Sequence, residues 1–254
     1  MSHNWIFEIK HPYTNLLREL ASIPDNEDIC IIEQSDDFGF WLEFSSPHLN
    51  DLSDPNEVYN RAFKLKMLLD GVLYIIHENK KSYTQIVLGT LYNGKEKVPL
   101  FDRTIKNSLF DFSYFTEDKN GDHKLTPISL LIHIAAKDDF IRNLLQISSS
   151  GMDYNSLYKA VDEIKYFLKG KESLEALGFN AVELDRFNHT ANNFETLGID
   201  ARHGNKSQKP PKKPMSLNEA QKLISNIIIA VLKKYYFIDL PRIKEIKISP
   251  EDLF

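Results

Sequence analysis

Arg186 and His189 stand three positions apart, and Arg202 and His203 are adjacent. Asn192, Asn193, Lys206 and Lys209 lie between or just beyond them, all inside the stretch Leu184–Ser216. If residues 181–190 form a helix, Arg186 and His189 share one face. Gly198 and Gly204 then let the following chain bend sharply enough to bring Arg202 and His203 round. Imidazole exchanges a proton near neutral pH, guanidinium grips a phosphate in a bidentate fork, and amides orient either group. A metal-independent ribonuclease needs those parts to activate a ribose 2′-hydroxyl and to stabilise charge developing on the phosphate oxygens. On that reading Arg186, His189 and His203 are catalytic, and Arg202, Asn192, Asn193, Lys206 and Lys209 hold RNA or phosphate. A polar connector that satisfies its own backbone draws on the same groups. Both readings stand on the sequence.

Other chemistry is absent or weak. There is no phosphate-binding glycine loop, no dinucleotide fingerprint, no nucleophile elbow and no H-E-x-x-H. His3, His11, His48, His77, His123 and His133 are scattered without ligand spacing, and His133 sits in an apolar stretch that suits a buried, satisfied imidazole. Asp118, Asn120 and Asp122 alternate as in a calcium loop, but Gly121 falls one residue too early, so 117–125 reads as a turn or linker. No metal and no cofactor are expected. The single cysteine, Cys30, excludes an internal disulfide and points to a reducing cytoplasm. The opening MSHNWIFEIKHPY lacks the pattern of a secretion signal. The longest apolar run, around Met67–Ile76, is broken by Asp70, so no membrane association is expected.

Charge is unevenly spread. Residues 1–125 carry 13 Lys/Arg against 20 Asp/Glu, and residues 126–254 carry 18 against 16. Between 186 and 213 six basic residues face two acidic ones, so an anionic ligand would meet this segment first. The acidic first half suits a protein partner instead.

The elements that must position these groups follow from periodicity and caps. WIFEIK (5–10), ICIIE (29–33) and GFWLEF (39–44) read as strands, with the polar QSDDFG as a hairpin connection. Residues 13–21 fit a short helix. Asp54-Pro55 opens a long helix to about His77, interrupted but not ended by Asp70 and Gly71. Residues 83–92 and 107–115 read as further strands, with NGKE (93–96) as a turn. Thr126-Pro127 starts a helix that Asp138 and Asp139 break, and another begins near Tyr154. Ala181 to about His189 is helical with Val182, Leu184 and Phe187 buried. Ser216 and Glu219 have capping-box spacing before an apolar helix to Phe237. The tail IKEIKISPEDLF would pair as an edge strand or dock elsewhere. The whole reads as α+β, with a sheet module carrying one long helix over residues 1–120 and a helical bundle over 121–254.

Within about residues 150–235 the order LYKAVDEIKYF, RFNHTANN, ARHG, PPKKPMSLNEAQKLI resembles bacterial proteins with HEPN-type helical domains, found among abortive-infection and other defence genes. RFNHTAN and ARHG are the most specific pieces. The resemblance implies a HEPN-like bundle, a homodimer through the helical domain, and RNA binding or metal-independent cleavage at the dimer mouth. HEPN ribonucleases place four to six residues between Arg and His. Here two residues separate Arg186 from His189, and none separates Arg202 from His203. Carried over, Arg186 would contact phosphate and His189 would transfer the proton. Many HEPN domains are inactive and serve as dimerisation or RNA-holding modules, which leaves a non-catalytic adaptor as the alternative.

Overall fold

Alternation builds the sheet, with one slip where Phe7 and Ile9 stand opposite Leu91 and Leu88. Trp5, Phe7 and Ile9 of β1 (Trp5–Lys10) are buried, as are Leu42 and Phe44 of β3 (Gly39–Ser45), Ile31 of β2 (Cys30–Asp36), and Leu88 and Leu91 of β4 (Val87–Asn93). With β5 (Glu96–Val98) these form one antiparallel sheet in the order β2-β3-β1-β4-β5. The computed structural model describes residues 4–10, 28–37, 39–78, 85–100, 126–204 and 209–242. The expected helix at 13–21, strand at 107–115, turn at 117–125, tail strand and Lys206 lie outside them.

The fold is mixed α+β. By compactness the chain divides into one unit of residues 1–70 with 84–142 and a second of 71–83 with 143–254. β2 runs three residues further than its apolar pattern suggests, to Asp36 opposite Gly39. Its polar half is tolerated because β2 is an edge strand among the described residues. The predicted turn at 93–96 is present, with Asn93 opposite Glu96 and Gly94 at φ 59. The return strand β5 was not anticipated, since Glu-Lys-Val carries almost no strand signature.

Helix α1 (Pro55–Ile76) begins where its cap predicts: Asp54 Oδ1 accepts the Asn56 N–H at 2.9 Å. Val58, Ala62, Leu65, Leu68, Leu69, Val72, Leu73 and Ile76 are buried. Its two interruptions are explained separately in the two units. In the first, buried Asp70 pairs with buried Lys66 at 2.7 Å, and each also bonds the main chain just before β4. Lys66 Nζ donates to Ile86 O at 2.9 Å, and Asp70 Oδ1 accepts the Ile86 N–H at 2.9 Å. In the second, Gly71 lies against helix α3 (Asp139–Ser149): a Cβ there would sit 2.2 Å from Leu145 O. The first unit also contains α2 (Pro127–Lys137), capped by Thr126, and α2 ends at Asp138 as predicted.

The elements of the second unit, among the described residues, are helices joined by loops. α4 (Tyr154–Leu168) is capped by Asp153, α5 (Ala181–Ala191) by Asn180, the one-turn α6 (Phe194–Leu197) by Asn193, and α7 (Leu217–Tyr236) by the Ser216/Glu219 capping box. α7 buries Ala220, Ile224, Ile227, Ile228, Val231 and Leu232 and packs on α4, which supplies Leu157, Val161, Ile164 and Leu168. Val182 corrects one expectation: it is 69% exposed. The buried stripe of α5 is Leu184, Phe187 and Ala191, and Val182 sits about 200° round the axis from Leu184.

Candidate functional site

Prolines shape the chain that returns towards α7. Residues 209–214 are Lys-Pro-Pro-Lys-Lys-Pro, and proline contributes a carbonyl but no N–H. Such a strap has surplus acceptors and no hydrogen bonds of its own to satisfy them. Arginine, which only donates, and a histidine N–H are the complementary side chains.

α5 presents both. Arg186 Nε donates to Lys213 O at 3.1 Å, and its Nη2 donates to Pro214 O at 3.0 Å. The same Nη2 meets Glu219 Oε1 and Oε2 at 3.0 and 3.1 Å, while Nη1 reaches Glu183 Oε2 at 3.4 Å. The side chain is 15% exposed. One turn on, His189 Nε2 donates to Lys209 O at 2.9 Å, its ring on the surface. The buried Thr190 hydroxyl donates to Arg186 O and accepts the Met215 N–H at 3.0 Å, and Tyr154 Oη donates to Met215 O at 2.7 Å. Burial and the nearby Glu219 charge raise the Tyr154 phenol above its ordinary value. The RFNHT face of α5 is therefore the surface on which the strap is fastened.

Glu219 is the junction of strap and helix. The Ser216 N–H and hydroxyl donate to its Oε2 at 2.8 and 2.7 Å, and its own N–H donates to Ser216 Oγ at 3.3 Å. The Ser216 backbone, then the Ser216 hydroxyl, then Arg186 hold its carboxyl down at about 2, from an ordinary 4.5. A depressed carboxyl contributes its full stabilisation above the unfolded value near 4.5 and loses it as the pH falls through about 2. Arg186→Ala is expected to cost about 1–2 kcal/mol at neutral pH, from its lost bonds to strap carbonyls. It should also lose less stability than the wild type between pH 4.5 and 2, because one support of the ionised Glu219 is already gone. Urea unfolding at pH 6 and pH 2.5 checks both; an unchanged neutral-pH midpoint would refute the clasp.

Arg202 and His203 engage different partners. The Arg202 N–H donates to Ala191 O at 2.9 Å, and its guanidinium carbon lies 4.0 Å above the Tyr158 ring of α4. Nη2 is 3.9 Å from Asp162 Oδ2, and Nη1 donates to His203 Nε2 at 3.3 Å, which makes that nitrogen an acceptor. His203 is exposed, and Arg202 is 39% exposed. Asn192 closes α5, its Nδ2 donating to Asn188 O at 2.9 Å; Asn193 caps α6 by accepting from Thr196. Lys209 is exposed while its carbonyl holds His189. The stretch thus contains a short helix that its local pattern does not signal, and Asn192 and Asn193 are helix caps.

A cleft of about 510 Å³ opens at the C-terminal end of α4, lined by Lys165, Lys169, Lys171, Glu172, Asp185 and Asn188 among others. Arg186, His189, Arg202 and His203 do not line it. Beside this end, Glu172 accepts from Lys234 Nζ at 2.6 Å and from the Tyr235 hydroxyl, which drives Tyr235 up to about 12 and Glu172 below its ordinary value.

One polar cluster escaped the sequence reading. In the first unit Asp28 carries two imidazoles: His48 Nε2 at 2.7 Å from Oδ1 and His133 Nδ1 at 3.1 Å from Oδ2. The Ser46 hydroxyl donates to Asp28 O at 2.6 Å, and Arg61 Nη1 donates to His48 O at 2.7 Å. Asp28 and His48 are buried; His133, expected to be a buried and satisfied imidazole, is satisfied by Asp28 but only half-buried. No local spacing signals the cluster. Among the described residues no group of three His, Cys, Asp or Glu could hold a metal ion, and no helix is long and apolar enough to cross a membrane. No family model matches the chain, and neither does any curated protein or solved structure.

Proposed function

We propose that this chain is a non-catalytic interaction protein in which Arg186 and His189 fasten the Pro-rich strap to the helical unit. The observation that carries this is the engagement of Arg186: two strap carbonyls and the Glu219 carboxylate take its Nε and Nη2, and only 15% of the side chain is exposed. A phosphate fork at that guanidinium would have to dismantle the start of α7 first. His189 Nε2 is committed to Lys209 O as a donor, whereas a general base at that atom needs its lone pair.

Labelled tRNA and mRNA incubated with the wild type and with Arg186→Ala/His189→Ala, in the presence of chelator, should stay intact in both reactions. Cleavage by the wild type alone would overturn the proposal.

A second reading rests on exposure. Arg202, His203, Lys209, Lys212 and Lys213 all remain at the surface. That basic strip, together with the resemblance to HEPN-type defence proteins, supports RNA or nucleotide binding without catalysis. It requires salt-sensitive binding that weakens in Arg202→Ala.

A further inference from the structure

We propose that the outer end of the β2–β3 hairpin is a docking site for an arginine-bearing segment of a partner protein. This rests on the interaction reading above and gives the partner its chemistry. β2 and β3 pair from Cys30 opposite Ser45 to Asp36 opposite Gly39, whereas the β1 register on β3 runs from Ile6 opposite Ser45 to Ile9 opposite Leu42. Ser35–Phe40 and Asp36–Gly39 are thus pairs of a two-stranded ribbon, beyond the end of β1 among the described residues. A two-stranded ribbon has little packing of its own, yet this one leaves Trp41 37% exposed on the face it shares with Asp36 and Glu43, while Phe40, 43% exposed, lies on the opposite face.

Trp41 is held in place. Its Nε1–H donates to Glu43 Oε1 at 2.9 Å, and Gln34, its cross-strand partner, donates Nε2 to Glu43 Oε2 at 3.2 Å. The indole is thus anchored through its Nε1–H edge. From Glu33 to Glu43 the hairpin holds four carboxylates, Glu33, Asp36, Asp37 and Glu43, and no Lys or Arg. Glu33, Asp36 and Asp37 are exposed.

Carboxylates on an edge strand discourage pairing with other sheets, which accounts for the charge but not for the exposed aromatics. The combination matches a guanidinium, which stacks flat on an aromatic face while carboxylates take its N–H donors. An ammonium meets the charge but cannot stack as a plane, so arginine is preferred to lysine. An anionic partner is repelled, and an apolar one would strip water from carboxylates it cannot pair.

The test is fluorescence anisotropy at low salt with fluorescein-labelled nona-arginine and nona-lysine, titrated with the full chain. Nona-arginine should bind more tightly than nona-lysine. Trp41→Ala should weaken nona-arginine binding about tenfold or more, and Asp36→Asn/Asp37→Asn should weaken both peptides. Thermal melts of both variants check folding, and the charge variant decides if Trp41→Ala unfolds. Equal affinities for the two peptides, wild-type affinity in a folded Trp41→Ala, or no binding at all would overturn the docking site. None of those results yields RNA cleavage, the outcome that would remove the interaction reading itself.

Discussion

Asp70→Ala is expected to destabilise the protein by about 3–5 kcal/mol, the usual cost of stranding one member of a buried ion pair. The substitution leaves the Lys66 ammonium, 2.7 Å from the lost carboxylate, still donating to Ile86 O but with no counter-charge from Asp70. It also removes the acceptor of the Ile86 N–H, an unpaired buried donor at the threshold of β4. Asp70→Asn keeps that acceptor but not the charge, so it should fall between wild type and Asp70→Ala. Lys66→Met/Asp70→Leu, which removes both charges, should recover only part of the loss: the stranded ammonium is gone, but the Ile86 N–H and carbonyl still lack their partners. Urea unfolding of the four proteins decides the matter. A loss below about 1 kcal/mol for Asp70→Ala would place it among ordinary surface changes and refute the buried pair.

Gly71→Ala sets two effects against each other. Alanine favours a helix interior over glycine by about 1 kcal/mol, so an uncrowded site would gain. Here the new Cβ would stand 2.2 Å from Leu145 O and 2.8 Å from Leu145 Cα. Those are main-chain atoms and cannot rotate aside, so α3 has to move as a body. Overpacking of this kind costs about 1–3 kcal/mol or more, and with contact this close the upper end should win, for a net loss of about 2 kcal/mol. Gly204→Ala is the control, since a Cβ there meets nothing within 4 Å. A Gly71→Ala variant with a raised unfolding midpoint would show that α3 yields easily.

Whatever depends on a few adjacent residues was legible in the sequence. Asp54-Pro55, Thr126-Pro127, Asp138, and Ser216 with Glu219 mark helix ends where the structure has them, because a cap is a bond across two or three positions. Asn93-Gly94 turns for the same reason. What was not legible depends on chain that arrives later. Nothing beside Arg186 signals its bonds to Lys213 and Pro214, 27 and 28 residues on. Asp70 and Gly71 read as flaws in an apolar stripe, since their partners lie at Ile86 and Leu145. The clue within reach was compositional: a Pro-rich, acceptor-heavy strap needs donors, and the chain before it holds Arg186 and His189 at helical spacing. α6 went unread because four residues carry no measurable period.

The two imidazoles on Asp28 bear on how this chain can be made. His48 is 20 residues from Asp28, but His133 is 105 residues away, and the unit that contains all three draws its residues from both sides of 71–83. On the ribosome the sheet strands through β3 emerge, with His48, long before α2 exists. Asp28 is then a half-occupied carboxylate at the margin of an unfinished core. Closure waits for residue 133 to leave the exit tunnel, by which time the first residues of the second unit, 71–83, are already outside. The order of synthesis thus interleaves the two units, and a chain halted after β5 leaves Asp28 Oδ2 without its His133 partner.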